Sequence, residues 1–251
     1  MATLDVNGTS INYIVEGDGP TVVLVHGFAS NLQANWRAPG ILDALVASGR
    51  QVVALDCRGH GRSDKPHDSA AYEGTQMTDD VLALMDHLDI MQADLAGYSM
   101  GGIFAATLLV RAPMRFRSVV LAGIGNTLLT RGPNSERAQA IARAMEAEDS
   151  GASESATARG FRQFAEQSGN DLQALAAMQR ATRSGFDVGK LAAVELPVMV
   201  LIGATDTLAG PADKLAAAIP GAMFVTVPGD HLTAVAAPEF THALVAFLVQ
   251  R

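Results

Sequence analysis

Six short runs of apolar, largely β-branched residues recur along this chain, at residues 21–25, 51–56, 95–98, 117–122, 198–203 and 223–227. Each is too short for a stable helix and too continuously apolar to leave one face in water. Helix-like stretches lie between them, at 35–47, 76–88, 99–111, 212–218 and 239–249. Apolar strands alternating with helices bury both of their faces. That pattern predicts an α/β fold with a mostly parallel sheet and helices on either side. Pro113 and Pro220 stand just past two helical stretches, where a residue without an N–H ends the pattern. Residues 1–16 read differently. Asn7-Gly8 is a two-residue turn signal, and Ile11, Tyr13 and Val15 alternate after it. A hairpin there adds an antiparallel edge and completes an eight-stranded sheet.

One segment interrupts the alternation. Residues 126–190 contain no convincing strand and carry three helical patterns, at 136–147, 156–167 and 171–183. Gly132-Pro133 and a Ser/Gly-rich stretch at 149–155 punctuate them. The expected division is a core of residues 1–125 and 191–251 with a helical insertion at 126–190.

The sharpest chemical signal is Gly97-Tyr98-Ser99-Met100-Gly101. A serine on a tight turn from strand to helix projects into a cleft, and its neighbours must be small for the backbone to fit. The context agrees, with an apolar run before Ser99 and a helical pattern after it. A helix starting there aims backbone N–H groups at a developing oxyanion. A serine hydroxyl is a poor nucleophile until a base takes its proton. His231, in the turn-rich Pro228-Gly229-Asp230-His231 after a strand, is the leading base. His60, in a glycine-rich loop, is its rival, while His67, His87 and His242 read as surface or helix residues. The base needs a carboxylate to fix its tautomer. Asp206 ends the turn Gly203-Ala204-Thr205-Asp206 on the Ser99 side of the sheet. Asp230 adjoins His231 too closely in sequence to face it and reads as a turn residue. Asp94 lies at the wrong end of its strand.

Composition narrows the partners. Acidic residues outnumber basic ones, 26 to 18, for a formal charge of −8. A general basic field for nucleic acid or anionic membrane is therefore not expected. The hydrophobic fraction of 49% with 18% charged residues suits a well-packed core. Cys57 is the single cysteine, which excludes an intrachain disulfide and fits a reducing compartment. The first residues lack a basic stretch followed by an apolar one, and no apolar run reaches the roughly 18 residues of a membrane span. A cytoplasmic protein with a small-molecule substrate is the expectation. No metal-ligand constellation and no glycine-rich phosphate loop appears, so neither metal nor cofactor is implied.

Taken together, the pieces resemble a known family. They are His26-Gly27-Phe28, the segment from Asp56 through Arg58-Gly59-His60-Gly61 to Asp64 and Pro66, then Gly97 to Gly102, Gly203 to Asp206, and Gly229-Asp230-His231. This set, in this order, is similar to the capped serine branch of the α/β-hydrolase superfamily, which includes esterases, enol-lactonases, carbon–carbon bond hydrolases and cofactor-free haloperoxidases. The resemblance implies a Ser99–Asp206–His231 triad and an oxyanion hole formed by the backbone N–H groups of Phe28 and Met100. It implies that the 126–190 insertion is a cap, with Phe28, Met145, Phe161, Phe164 and Met178 as candidate pocket residues. Trp36 reads as a packing residue, and Arg58, His60 and Asp64 as loop-fixing ones. Dehalogenases and epoxide hydrolases of this fold carry aspartate where this chain has Ser99, so acyl transfer to serine is favoured. The implied activity is hydrolysis of a carboxylic ester, thioester or lactone. Carbon–carbon cleavage, perhydrolysis on the same triad, or a receptor-like binding role are the alternatives.

Overall fold

The computed structural model describes residues 2–130, 135–148, 155–184 and 187–249. Strands β1 (Ala2–Val6) and β2 (Thr9–Glu16) form the expected hairpin, with Asn7 and Gly8 both at positive φ in the turn. Strands β3 (Thr21–Val25), β4 (Gln51–Leu55), β5 (Ala93–Tyr98), β6 (Phe116–Ala122), β7 (Val198–Gly203) and β8 (Met223–Val227) follow. The sheet order is β1-β2-β4-β3-β5-β6-β7-β8. The pairs β1–β2 and β2–β4 are antiparallel, and all pairs from β4 to β8 are parallel.

Alternation along the strands explains the two covered faces. Val23, Val25, Val53, Leu55 and Leu95 point into one apolar cluster, and Val22, Leu24, Val52, Ala54 and Ala96 into the other. Helices α1 (Ile41–Ala47) and α9 (Pro238–Val249) cover the second face. Helices α2 (Gln76–His87) and α3 (Met100–Arg111) cover the first. Trp36 is fully buried in the second cluster, as a packing residue. The helix expected at 35–47 is broken. A π-helical turn spans Gln33–Arg37, and α1 starts only after Gly40, whose φ of 81° an L-side chain rarely adopts. Pro39 before it cannot continue the hydrogen-bond ladder.

Between β6 and β7 the chain forms α4 (Thr127–Thr130), α5 (Glu136–Glu146), α6 (Ala156–Gln167) and α7 (Leu172–Arg180). Each of the last three starts with a side-chain cap, from Ser135, Ser155 and Asp171. Gly132-Pro133 and residues 149–154 lie outside the described residues. The pattern expected to reach Arg183 stops at Arg180. Beyond it the backbone turns to form a parallel bridge between Arg183 and Gly74. Helix α8 (Asp213–Ala217) joins β7 to β8. Among the described residues no helix is long and apolar enough to cross a membrane.

Candidate active site

The sheet brings three loops together at the carboxyl ends of its strands. Ser99 follows β5 directly and caps α3, with φ 53° and ψ −108°. Such a backbone is strained for a side-chain residue and persists only where its surroundings enforce it. Here they do. A Cβ on Gly97 would lie 2.0 Å from the Gly101 carbonyl oxygen, and one on Gly101 would lie 2.0 Å from that of Val25. Only glycines permit this approach of helix to sheet. Ser99 N–H donates to the Ala122 carbonyl at 2.8 Å, and Gly101 N–H to that of His26 at 3.1 Å.

His231 lies in the loop after β8. Asp230 shapes that loop by accepting from the N–H groups of Leu232 and Thr233, each at 3.0 Å, and from the Thr233 hydroxyl at 2.7 Å. These bonds hold its carboxyl below the usual range, so it is the turn residue the sequence suggests. Tyr98, beside Ser99, donates its hydroxyl to the His231 carbonyl at 2.7 Å. Its ring also packs against the imidazole, 5.7 Å between centroids. Asp206 follows β7. One carboxylate oxygen accepts from Leu208 N–H at 3.0 Å and Ala209 N–H at 2.9 Å. The other lies 2.8 Å from His231 Nδ1, and His231 Nε2 lies 2.8 Å from Ser99 Oγ. The carboxylate selects the tautomer with the proton on Nδ1. Nε2 is then an acceptor aimed at the serine hydroxyl.

Met100 N–H is the first of α3, where helical geometry supplies no internal acceptor. Phe28 lies in the loop after β3, which is held on several sides. Gly27 N–H donates to Asn35 Oδ1 at 2.9 Å. Cys57 N–H donates to His26 Nε2 at 3.0 Å, so His26 Nδ1 carries the proton it gives to the Gly27 carbonyl at 2.7 Å. From the cap, Asn170 donates to the Ala29 carbonyl at 2.8 Å.

His60, the rival base, is fully buried with its ring edge-on to His26 at 5.1 Å and to Phe28 at 5.9 Å. Burial, with His26 beside it, pushes its pKa down to about 3. It is a neutral packing residue under the loop that carries Phe28. Arg58 grips Asp80 through two N–H groups at 2.7 and 2.6 Å, and Asp64 accepts from Ser10 N–H at 2.7 Å. His67 pairs with Asp171 at the surface, and His87 and His242 are exposed.

Ser99 and His231 open into a cavity of about 180 Å³. Of the five candidate pocket residues, Phe28 and Phe161 line it, ring to ring at 5.5 Å. Met145, Phe164 and Met178 do not. Met145 of α5 and Met178 of α7 are buried in the core cluster, and Phe164 packs against that cluster from outside the cavity. Unbranched side chains fill gaps between cap helices as readily as they line pockets. The lining residues that sequence reasoning missed include Met77 and Thr78 of α2 and Ile103, Phe104 and Thr107 of α3. A signal existed for Ile103 and Thr107: steps of four from Ser99 place them on the same helix face.

The α/β-hydrolase fold family matches residues 20–149 of this chain. The chain belongs to the α/β-hydrolase fold family. An α/β-hydrolase relative, the 3-oxoadipate enol-lactonase 2 of Acinetobacter baylyi, is 30% identical over 98% of this chain and 96% of its own length. The crystal structure of the enol-lactonase from Burkholderia xenovorans LB400 is 29% identical. It covers 98% of this chain and 99% of its own, with a TM-score of 0.74. An epoxide hydrolase of Caballeronia sordidicola is 34% identical over 51% of this chain, but that match spans 38% of the relative. Several curated relatives are matched over only 30% to 50% of their length.

Proposed function

We propose that the protein is a serine hydrolase that cleaves a carboxylic ester, thioester or lactone of a small molecule through an acyl-enzyme on Ser99. The observation that carries this reading is the line of two 2.8 Å contacts from Asp206 through His231 to Ser99 Oγ, ending in the cavity. His231 Nε2 takes the serine proton as Oγ attacks the carbonyl carbon. The backbone N–H groups of Phe28 and Met100 receive the developing oxyanion. His231 then protonates the leaving oxygen or sulfur, or the ring oxygen of a lactone. Water then gives a proton to His231 as it attacks the acyl carbon, and His231 returns that proton to Ser99 Oγ as the acid leaves.

The two enol-lactonases, similar over nearly the full chain, favour an ester or lactone bond. A cytoplasmic location is part of the proposal. It is supported by the single cysteine, whose thiol is buried and raised well above its ordinary pKa by that burial.

The test is turnover of p-nitrophenyl esters of increasing chain length by the parent and by Ser99→Ala. The variant is expected to lose on the order of 10⁶ in kcat. Its melting temperature should stay within about 4 °C of the parent. Turnover by the variant near the parental rate would overturn the assignment of Ser99.

A further inference from the structure

The turn after β3 has one tie that comes from the cap. Ser30 N–H donates to the Gly27 carbonyl at 3.2 Å and closes a turn from Gly27 to Ser30. Ala29, third in that turn, is fully buried and has φ 57°. Glycine or asparagine ordinarily takes that place, and an alanine stays there only where its surroundings enforce it. The Asn170 side chain contributes to that enforcement, donating to the Ala29 carbonyl at 2.8 Å.

In a trans peptide unit the carbonyl and the N–H point to opposite sides. The Ala29 carbonyl and Ser30 N–H belong to one unit, and the Gly27 carbonyl and Phe28 N–H to another. The bonds therefore run in series. Asn170 donates into the Ala29 carbonyl, Ser30 N–H of the same unit donates into the Gly27 carbonyl, and the line leaves through Phe28 N–H. The His26 imidazole donates to the same Gly27 carbonyl at 2.7 Å. Each link orients the next, and hydrogen bonds in series polarise one another.

The cap end of this line is itself held in place. Gly169 N–H donates to the Glu166 carbonyl at 3.1 Å and Asn170 N–H to the Ala165 carbonyl at 2.9 Å, with Gly169 at φ 65°. These bonds make a Schellman ending of α6. Asp171, next in the chain, caps α7. Asn170 is thus fixed at the corner between two cap helices. Helix α6 also carries Phe161, whose ring meets that of Phe28 at 5.5 Å. Beside Asn170 lies a cavity of about 250 Å³, bordered also by Leu32, Lys65 and Gly169. The tie from Asn170 is therefore a hydrogen bond next to open space rather than dense packing.

We propose that Asn170 is a positioning residue for the reaction, orienting Phe28 N–H toward the developing oxyanion. Through it that donor depends on the docking of the α6–α7 corner. A cap lifted from the core leaves Ser99, His231 and Asp206 in place and the Phe28 donor loose, so reactivity follows closure of the site. This inference rests on the reading above of Ser99 as nucleophile and Phe28 N–H as oxyanion donor.

The test measures p-nitrophenyl butyrate turnover by the parent, Asn170→Ala and Asn170→Asp. Alanine removes the donor and should lower kcat about tenfold, with KM within about twofold of the parent. Aspartate sets a carboxylate against the Ala29 carbonyl and should approach the roughly hundredfold loss of a missing oxyanion donor. A trifluoromethyl ketone gives the readout that a merely structural role would not move, because its adduct with Ser99 carries an oxyanion. Its inhibition constant should weaken in step with kcat/KM across the parent and both variants.

His67→Ala is the control. His67 pairs with Asp171 at 2.9 Å, so this variant loosens the same corner without touching the turn, and it should keep the parental kcat. Parental kcat and inhibitor constant in both Asn170 variants would overturn the proposal, as would an equal loss in His67→Ala. Either result leaves the hydrolase reading in place. Failure of that reading shows in the parent itself, as no ester turnover and no Ser99 labelling by a fluorophosphonate, and takes this inference with it.

Discussion

Strand β5 carries a buried polar cluster at each end, and the two are built in opposite ways. At its amino end Asp94 is fully buried and saturated. It pairs with Arg50, accepts from Arg117 at 2.9 Å, and accepts from the Ser118 hydroxyl at 2.8 Å. Both guanidiniums also bind main-chain carbonyls, of Leu248, Gln92 and Thr21. At the carboxyl end, Asp206 commits one oxygen to two backbone N–H groups and leaves the other to a single imidazole. A carboxylate ringed by charged donors is locked and fixes where strands and termini meet. A carboxylate facing one neutral ring keeps the capacity to stabilise a charge that appears only during reaction. The difference lies in the partners, since burial is similar: Asp206 is 6% exposed and Asp94 0%.

The most severe test of this contrast is Asp206→Asn. The amide keeps the shape but favours the wrong tautomer of His231, and kcat should fall roughly 10⁴-fold with the melting temperature little changed. Ester turnover beside a thermal melt checks both halves. The mirror experiment is Asp94→Ala, which leaves two buried or half-buried guanidiniums without their counter-charge. It should cost about 3–5 kcal/mol in urea unfolding, while the protein that remains folded still labels at Ser99. Normal stability with lost labelling would reverse the assignment of the two clusters.

Acid probes the carboxyl end in another way, through His60 under the loop that carries Phe28. Its pKa is about 3 in the folded protein, against 6.5 for a free histidine side chain. Between those values the unfolded chain holds a proton that the native state refuses. Stability therefore rises with pH across that window and is lost as pH falls through it, by up to ~1.4 kcal/mol per pH unit. His26, also lowered by burial, adds in the same direction. Urea titrations at pH 4, 5 and 6 should show the slope, and His60→Phe should flatten it by one proton. The smallest effect is expected from Tyr98→Phe, which removes the 2.7 Å bond to the His231 carbonyl. A loss of about 1 kcal/mol in stability and a several-fold drop in kcat should follow, and a pH–rate profile beside the melt separates the two.

The core was legible in the sequence because its signals are local. Continuous apolar runs marked the strands, and Asn7-Gly8 marked the hairpin. The order of Ser99, Asp206 and His231 along the chain, each just past a strand, marked the triad. The pocket was legible only in part, because a cap helix buries side chains on more than one side. Residues 174–179 of α7 are all buried, so periodicity does not reveal that Gln179 turns to the cavity and Met178 to the packing. The break at Pro39-Gly40 was readable, since both residues disfavour a helix interior.

Strands β6 and β7 are parallel neighbours in the sheet, so the segment between them leaves at the carboxyl end of β6 and crosses over to re-enter at the amino end of β7. Asn126 ties the start of that segment to the stretch that follows β7. Its amide donates to Asp213 at 2.8 Å, its side-chain oxygen accepts from Leu215 N–H at 3.0 Å, and its own N–H donates to the Pro211 carbonyl at 2.7 Å. The insertion is anchored at more than one point, through Asn126, through Asn170 on the Ala29 carbonyl and through the bridge of Arg183 to Gly74. The strands that precede Ser99, Asp206 and His231 lie outside this segment, so a changed side chain in its lining leaves their pairing in the sheet untouched.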